Sequence, residues 1–516
     1  MIPYLKIEDA TFAHAQKKCF NGFNWTINQG ENWIITGKIG AGKTSLVQAL
    51  AGKYYLTQGQ LTYPYLETTL PAIKSTYELK RKCIKVVSFK DDSRAFDPHS
   101  FFYSQRFNSF AADGTITVWE YLMEAGFSEY EKEHVDLIKR TGVFELLDLE
   151  RIKLSSGQSR KLLITKAILQ QPKLLIIDNP YMGLDAKSRQ EFNQLLDDLV
   201  KNEGIQLILA GQYDVLPTCI SHELELDNFS IIYEGKVRSK DIAPKKLLTK
   251  SPYGKHFTLF SPMELKAFQL EFSIETKSEI IKKVKKIFRQ PNNFDEWDTI
   301  FSLKDASVAY YGKKVLDTIN WVVKPGDKWA LFGANGSGKS TLLALLFGDH
   351  PQAYANEIYL FDQKRGVGQN IWDIKKRTGF TSSELHFFFN AELTAEETII
   401  TGLFDHVYLK RAPTDKEQVL VDLLMEYFEV IPLKDRSFQQ LSTGEQRIIL
   451  LIRALIKNPP LILLDEPFQG FDVKTIQLAK DLLNAILSPQ HTLVFITHYE
   501  REIPEIVKER FVLETK

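Results

Sequence analysis

Short apolar runs, each bounded by turn residues, set the pattern of the chain. Trp33-Ile-Ile-Thr36 follows the turn Asn28-Gln-Gly-Glu-Asn32, and Trp329-Ala-Leu-Phe332 follows Lys324-Pro-Gly-Asp-Lys328; both read as short buried strands. A glycine-rich stretch comes next in each case, then a helix whose apolar positions are Leu46, Val47 and Leu50 in one copy and Leu342, Leu343, Leu345 and Leu346 in the other. The runs Leu174-Leu-Ile-Ile177 and Leu461-Ile-Leu-Leu464 end on Asp178 and Asp465. They read as fully buried parallel strands that put a carboxylate at the carboxyl edge of a sheet, where α/β proteins bind ligands. Thr492–Ile496 reads as a further strand. Residues 1–12 (MIPYLKIEDATF) alternate like a strand, unlike the charged start and apolar core of a signal peptide. No apolar run approaches the ~18–20 residues needed to span a bilayer.

These patterns occur twice. Gly37-Lys-Ile-Gly-Ala-Gly-Lys43-Thr44 returns as Gly333-Ala-Asn-Gly-Ser-Gly-Lys339-Ser340, offset by 296 residues. Leu154-Ser-Ser-Gly-Gln158 returns as Leu441-Ser-Thr-Gly-Glu445, and the Asp178 strand as the Asp465 strand, both offset by 287. Such agreement implies a duplication with one small length difference. It predicts a first domain over residues 1–240, a linker over 241–297 and a second domain over 298–516. In the linker, Ile280, Val284, Ile287 and Phe288 fall on one helical face and lysines on the other, as expected of a helix docked on a domain, a membrane-surface or RNA contact being the alternative.

Composition narrows the setting. The 516 residues are too many for one core, and the 65 basic residues balance the 65 acidic ones, so no global field draws the chain to nucleic acid or an acidic membrane. Cys19, Cys83 and Cys219 are too scattered for a disulfide framework or zinc site and read as buried free thiols in a reducing compartment. A cytoplasmic location follows, on the inner face of the membrane if a transporter is served.

The chemistry lies in the glycine-rich stretches. In Gly-x4-Gly-Lys-Ser/Thr the backbone curls so that its N–H groups point at phosphate oxygens, and the following helix offers its positive end. The first loop spans Gly37, Lys38, Ile39, Gly40, Ala41, Gly42, Lys43, Thr44 and Ser45; the second spans Gly333, Ala334, Asn335, Gly336, Ser337, Gly338, Lys339, Ser340 and Thr341. Lys43 and Lys339 are placed to reach the β- and γ-phosphates of ATP, while Thr44 with Asp178, and Ser340 with Asp465, are placed to hold Mg²⁺.

Leu-Ser-Ser-Gly-Gln and Leu-Ser-Thr-Gly-Glu resemble the signature loop that separates ABC ATPases from other phosphate-loop proteins. The resemblance covers nearly the whole chain outside the linker. It implies an α/β fold with two nucleotide-binding domains in tandem, each with a RecA-like parallel sheet core, an antiparallel β subdomain and a helical signature subdomain. In that family two such domains close head to tail, each ATP lying between the phosphate loop of one and the signature of the other. Carried over, one site comprises Lys339, Ser340, Asp465, Glu466 and His498, completed by Ser155 and Gly157; the other comprises Lys43, Thr44, Asp178, Asn179 and Gln212, completed by Ser442 and Gly444. Tyr310 resembles the aromatic that stacks on adenine, with His14 a poorer counterpart in the first domain. Gly183-Leu-Asp185 and Gly470-Phe-Asp472 look like the loops that couple the two sites. The family's Q-loop glutamine is replaced by Ser383 in the second domain, while Lys90 or Gln105 stands there in the first.

The two sites are unequal. Glu466 matches the family's general base or water-positioning carboxylate and His498 its γ-phosphate switch, whereas the first domain has Asn179 and Gln212. An asparagine amide cannot take a proton, so the ~10²–10⁴ contribution of a positioned base is expected at the second domain's site only. Gly348–Glu357, Ile371–Lys376, Ser382–His386 and Gly402–Asp405 resemble ModF-type tandem ATPases, which carry serine at the position of Ser383. That resemblance implies an ATPase energising or regulating a transporter whose membrane permease is another chain, molybdate or a related oxyanion being the implied cargo. A ribosome-acting ABC-F-like factor and a stand-alone ATP switch are the alternatives; against the former, the linker lacks a long charged helical hairpin.

Overall fold

The computed structural model describes residues 2–14, 17–70, 75–88, 116–129, 131–151, 154, 156–182, 184, 186–213, 215–238, 277–289, 291–292, 294–310, 313–334, 336–366, 368–389, 392–406 and 408–514. The apolar runs do form strands, and they assemble in the same order twice. In the first half a sheet runs Ile84–Ser88, Leu174–Asp178, Gln206–Ala210, Trp33–Gly37, His222–Asp227, Ser230–Lys236. All its neighbours are parallel except the last pair. In the second half the order is Thr378–Thr381, Leu461–Asp465, Thr492–Ile496, Lys328–Gly333, Glu509–Leu513, all parallel. The strand leading into each glycine-rich loop is therefore separated by one strand from the strand that ends in aspartate.

An antiparallel sheet accompanies each parallel one. Lys17–Asn28, Pro3–His14 and Tyr55–Thr62 form the first; Lys313–Val323, Phe301–Tyr310, Glu357–Leu360 and Gln363–Lys364 form the second. The alternation read in residues 1–12 is the first of these strands, burying Leu5, Ile7, Ala10 and Phe12. Each half also has a helical part, with Val118–Met123, Lys132–Arg140 and Ser156–Leu169 in the first and Ala395–Thr401, Asp415–Tyr427 and Thr443–Leu455 in the second. Even the local stops repeat. Thr117 with Glu120, and Thr394 with Glu397, form reciprocal capping boxes at equivalent helix starts.

Among the described residues two cores serve each half, one under the antiparallel sheet and one under the helical part. The lysine-rich stretch contains a helix over residues 277–287. Ile280, Val284 and Phe288 join the core of the second half's helical part, but Ile287 is 39 % exposed, so its apolar face is narrower than its spacing suggested. Of the three thiols only Cys83 is buried; Cys19 and Cys219 are half-buried. Among the described residues no helix is long and apolar enough to cross a membrane.

Candidate functional site

The carboxyl ends of three adjacent strands converge on each phosphate loop. In both copies the last loop glycine is left-handed, Gly42 at φ 106° and Gly338 at φ 93°, which lets the chain turn into the helices Lys43–Leu50 and Lys339–Phe347. Thr44, Ser45, Ser340 and Thr341 lie in the first turns of these helices. A methyl group at Gly338 would come within 2.6 Å of Leu316 Cδ2 and 3.0 Å of the Val315 carbonyl, so a side chain there would crowd the adjoining strand as well as strain the backbone.

Both loop lysines curl back over their loops, Lys339 buried and Lys43 half-buried. Lys43 Nζ donates to the carbonyls of Gly37 and Lys38, each at 2.7 Å, and Lys339 Nζ to those of Gly333 and Ala334 at 2.7 and 3.0 Å. Burial lowers the Lys43 ammonium to about 8, opposed by the carboxylates of Asp178, Asp472 and Glu445. Two of those three carboxylates belong to the other half of the chain. The donor set fits a magnesium nucleotide: loop amides and a buried ammonium for phosphates, and hard hydroxyl and carboxylate oxygens for Mg²⁺. The Ser337 hydroxyl is a further buried polar group in the second loop with no hydrogen-bond partner among the described residues.

Beside the second loop, Asp465 ends its strand and Glu466 follows at φ 48°. Its carboxylate Oε1 lies 2.8 Å from His498 Nε2, at the end of the neighbouring strand, and its Oε2 accepts from Gln469 Nε2 at 2.9 Å. Burial raises the Glu466 carboxyl, but His498, Arg447 and Lys339 outweigh it and hold the group below its ordinary value. In the first half Asn179 adopts the same backbone turn, φ 53°, yet its amide donates to Asp178 Oδ1 at 3.1 Å. Gln212, in place of histidine, donates to the Gly37 carbonyl at 2.9 Å.

The two halves touch where the first loop meets the second signature. Ser442 caps the helix Thr443–Leu455 with Glu445 in a reciprocal capping box, and that helix start faces the first phosphate loop. A methyl group at Gly444 would lie 2.9 Å from Ile39 Cγ1, and one at Gly40 would lie 3.3 Å from Glu445 Oε1. Ile39 N–H donates to Asp472 Oδ2 at 3.2 Å. Near the other site, the Arg189 guanidinium stacks over the Tyr499 ring, 5.0 Å from its centroid and next to His498.

Other predicted residues have different surroundings. Tyr310 ends its strand and its hydroxyl lies 2.6 Å from His350 Nε2. Ser383 bonds to Gln469 and Arg447. Gly157 lies in the first turn of the helix Ser156–Leu169, and His14 ends the strand Pro3–His14. Ser155, Gly183, Asp185, Asn335, Lys90 and Gln105 lie outside the described residues. Sequence reasoning missed Gln469 and Arg447, although comparing Asp-Glu-Pro-Phe-Gln469 with Asp-Asn-Pro-Tyr-Met182 would have singled out the former.

The pattern that describes the ABC transporter family matches residues 20–182 and 316–469, once in each half and over more than half of the chain. The chain belongs to that family. An uncharacterised ABC transporter ATP-binding protein of Schizosaccharomyces pombe is 31 % identical over 99 % of this chain and 98 % of its own length. The ABC transporter ATP-binding protein ModF of Escherichia coli is 30 % identical over 98 % of this chain and 96 % of its own. Among solved structures, an archaeal ribosome recycling factor in complex with a ribosomal stalk protein covers 98 % of this chain and 87 % of its own at 17 % identity and a TM-score of 0.47. Membership makes the chain a tandem ABC ATPase that binds ATP, usually with Mg²⁺, and the expected fold is the one observed.

Proposed function

We propose that this ABC protein cleaves ATP at the second half's phosphate loop, holds ATP with little cleavage at the first, and closes head to tail within one chain. The observation that carries this reading is the asymmetry at equivalent positions: a half-buried Glu466 carboxylate against His498 in one half, an Asn179 amide turned to Asp178 in the other. ATP supplies the phosphoanhydride bond and Mg²⁺ would neutralise its phosphates between Ser340 and Asp465. Lys339 and the loop amides hold the γ-phosphate, Glu466 orients and deprotonates the attacking water, and His498 steadies Glu466 and the phosphate. The contact of Gly444, Glu445 and Asp472 with the first loop supports head-to-tail closure.

Glu466→Gln keeps the shape and loses the base. Steady-state ATPase activity should fall by at least ~10² while ATP still binds. Turnover near the wild-type rate would overturn the assignment.

We further infer that the ATP cycle energises or regulates a transporter whose membrane subunits are other chains, an oxyanion such as molybdate being the cargo that the ModF-type resemblance implies. Full-length similarity to ABC transporter ATP-binding proteins supports this. Affinity purification of the Glu466→Gln variant from its own cells in ATP should bring down a membrane permease. Recovery of ribosomes instead would favour the ABC-F-like reading.

A further inference from the structure

We propose that Gln469 is a positioning residue for hydrolysis, fixing the Glu466 carboxylate so that its other oxygen stays against His498. The inference rests on the reading that the second half's site is the hydrolytic one. Gln469 lies three residues after Glu466, in the turn where its own N–H donates to the Glu466 carbonyl at 3.2 Å. Its side chain spans two groups. Nε2 donates to Glu466 Oε2 at 2.9 Å, and Oε1 accepts from Arg447 Nη2 at 2.7 Å and from Ser383 Oγ at 3.3 Å. Because both partners on the Oε1 side are donors, the amide has one orientation, with its N–H₂ toward the carboxylate.

Arg447 shows why the amide is needed. Its Nη1 donates to the Glu466 carbonyl at 3.0 Å and its Nη2 also to Ser383 Oγ at 3.1 Å, so a buried guanidinium stands behind the half-buried Glu466 carboxylate. A carboxylate with no other restraint would swing onto such a guanidinium and form a two-point pair, leaving His498. Gln469 prevents this. It occupies the guanidinium with its carbonyl oxygen and offers Glu466 a neutral donor, so the charge of Arg447 remains near while the carboxylate stays aimed at His498.

The first half supplies the contrast. Met182 stands where Gln469 does and Arg160 where Arg447 does. Met182 is buried and has no amide, and the neighbouring Asn179 turns to Asp178. The base and the group that would orient it are thus both absent from one site and both present in the other.

The test is the kinetics of Gln469→Met, which installs the first half's residue, beside Gln469→Glu, which keeps the shape but replaces the donor with a carboxylate. In both variants kcat should fall about tenfold or more while KM for ATP stays within about twofold and Tm within about 2 °C, because the restraint acts on the reacting geometry alone. In Glu466→Gln/Gln469→Met the loss should be no larger than in Glu466→Gln alone, since Gln469 acts through Glu466. A kcat within about twofold of wild type in Gln469→Met, with Glu466→Gln inactive, would overturn this inference and leave the hydrolytic assignment standing. Losses that multiply in the double variant would also overturn it, and turnover in Glu466→Gln would overturn the assignment beneath it.

Discussion

Glu466 and Asn179 both turn the chain through the left-handed region, at φ 48° and 53°. The backbone of the duplicated unit has thus been kept where the chemistry has changed, and only the side chains distinguish the sites. Asn179 donates to the carboxylate it would have to assist. Asn179→Ala should therefore change the steady-state ATPase rate by less than about twofold, far below the ~10²–10⁴ effect of a working base. A large loss in that variant would show that the first site turns over. Both lysine loops were legible in the sequence because phosphate binding demands one backbone shape and hence one spacing of glycines. Gln469 was not, since a glutamine in a turn has no periodicity and its role comes from Arg447 and Ser383, brought in from elsewhere in the chain.

His350 adds a pH dependence at the candidate adenine position. Its ring Nδ1 accepts from Gln352 N–H at 3.1 Å, so the neutral ring carries its proton on Nε2, toward the Tyr310 hydroxyl. Burial lowers this imidazole to about 4. The unfolded chain binds a proton at its ordinary value near 6.5 while the folded one does not, so stability should be lost progressively as pH falls from about 6.5 toward 4. Protonation would also put a second donor opposite Gln352 N–H. Thermal unfolding of His350→Gln should show a flatter acid limb than wild type between pH 6.5 and 4; equal slopes would contradict this account.

At the scale of elements, strands and helices followed the hydrophobic pattern, and the capping boxes at Thr394, Thr414 and Ser442 follow from their sequences. Sheet order was not readable, because the inner parallel strands are buried on both faces and do not encode their neighbours. Buried ion pairs between elements were equally hidden. Lys457, after the signature helix, pairs with Asp405 at 2.6 Å in the core, where burial lowers it to about 8. Removing one partner strands the other, so Lys457→Met should cost about 3–5 kcal/mol, whereas replacing both by apolar residues should cost much less. Chemical denaturation of the single and double variants measures this. A second element contact joins the halves: Gly444 opens the signature helix directly against Ile39. Gly444→Val would push the helix start off the loop and should lower ATPase activity more than stability, since the clash arises only when the halves close.

For the whole molecule, duplication read from sequence implied two sites, but which surfaces meet could not be read from residues so far apart. Ile39 and Asp472 are separated by 433 positions and are hydrogen-bonded. The linker keeps the halves at an effective concentration of about millimolar if it spans the gap, which favours closure within one chain over pairing of two. We propose that Ser155 and Gly157 of the same chain complete the second half's ATP site. The most direct test mixes two inactive full-length variants, Ser155→Arg and Lys339→Ala, at equal concentration and measures ATPase activity. Closure within one chain predicts no activity above the sum of the two alone; marked recovery would show that the hydrolytic site forms between two chains and would contradict the account.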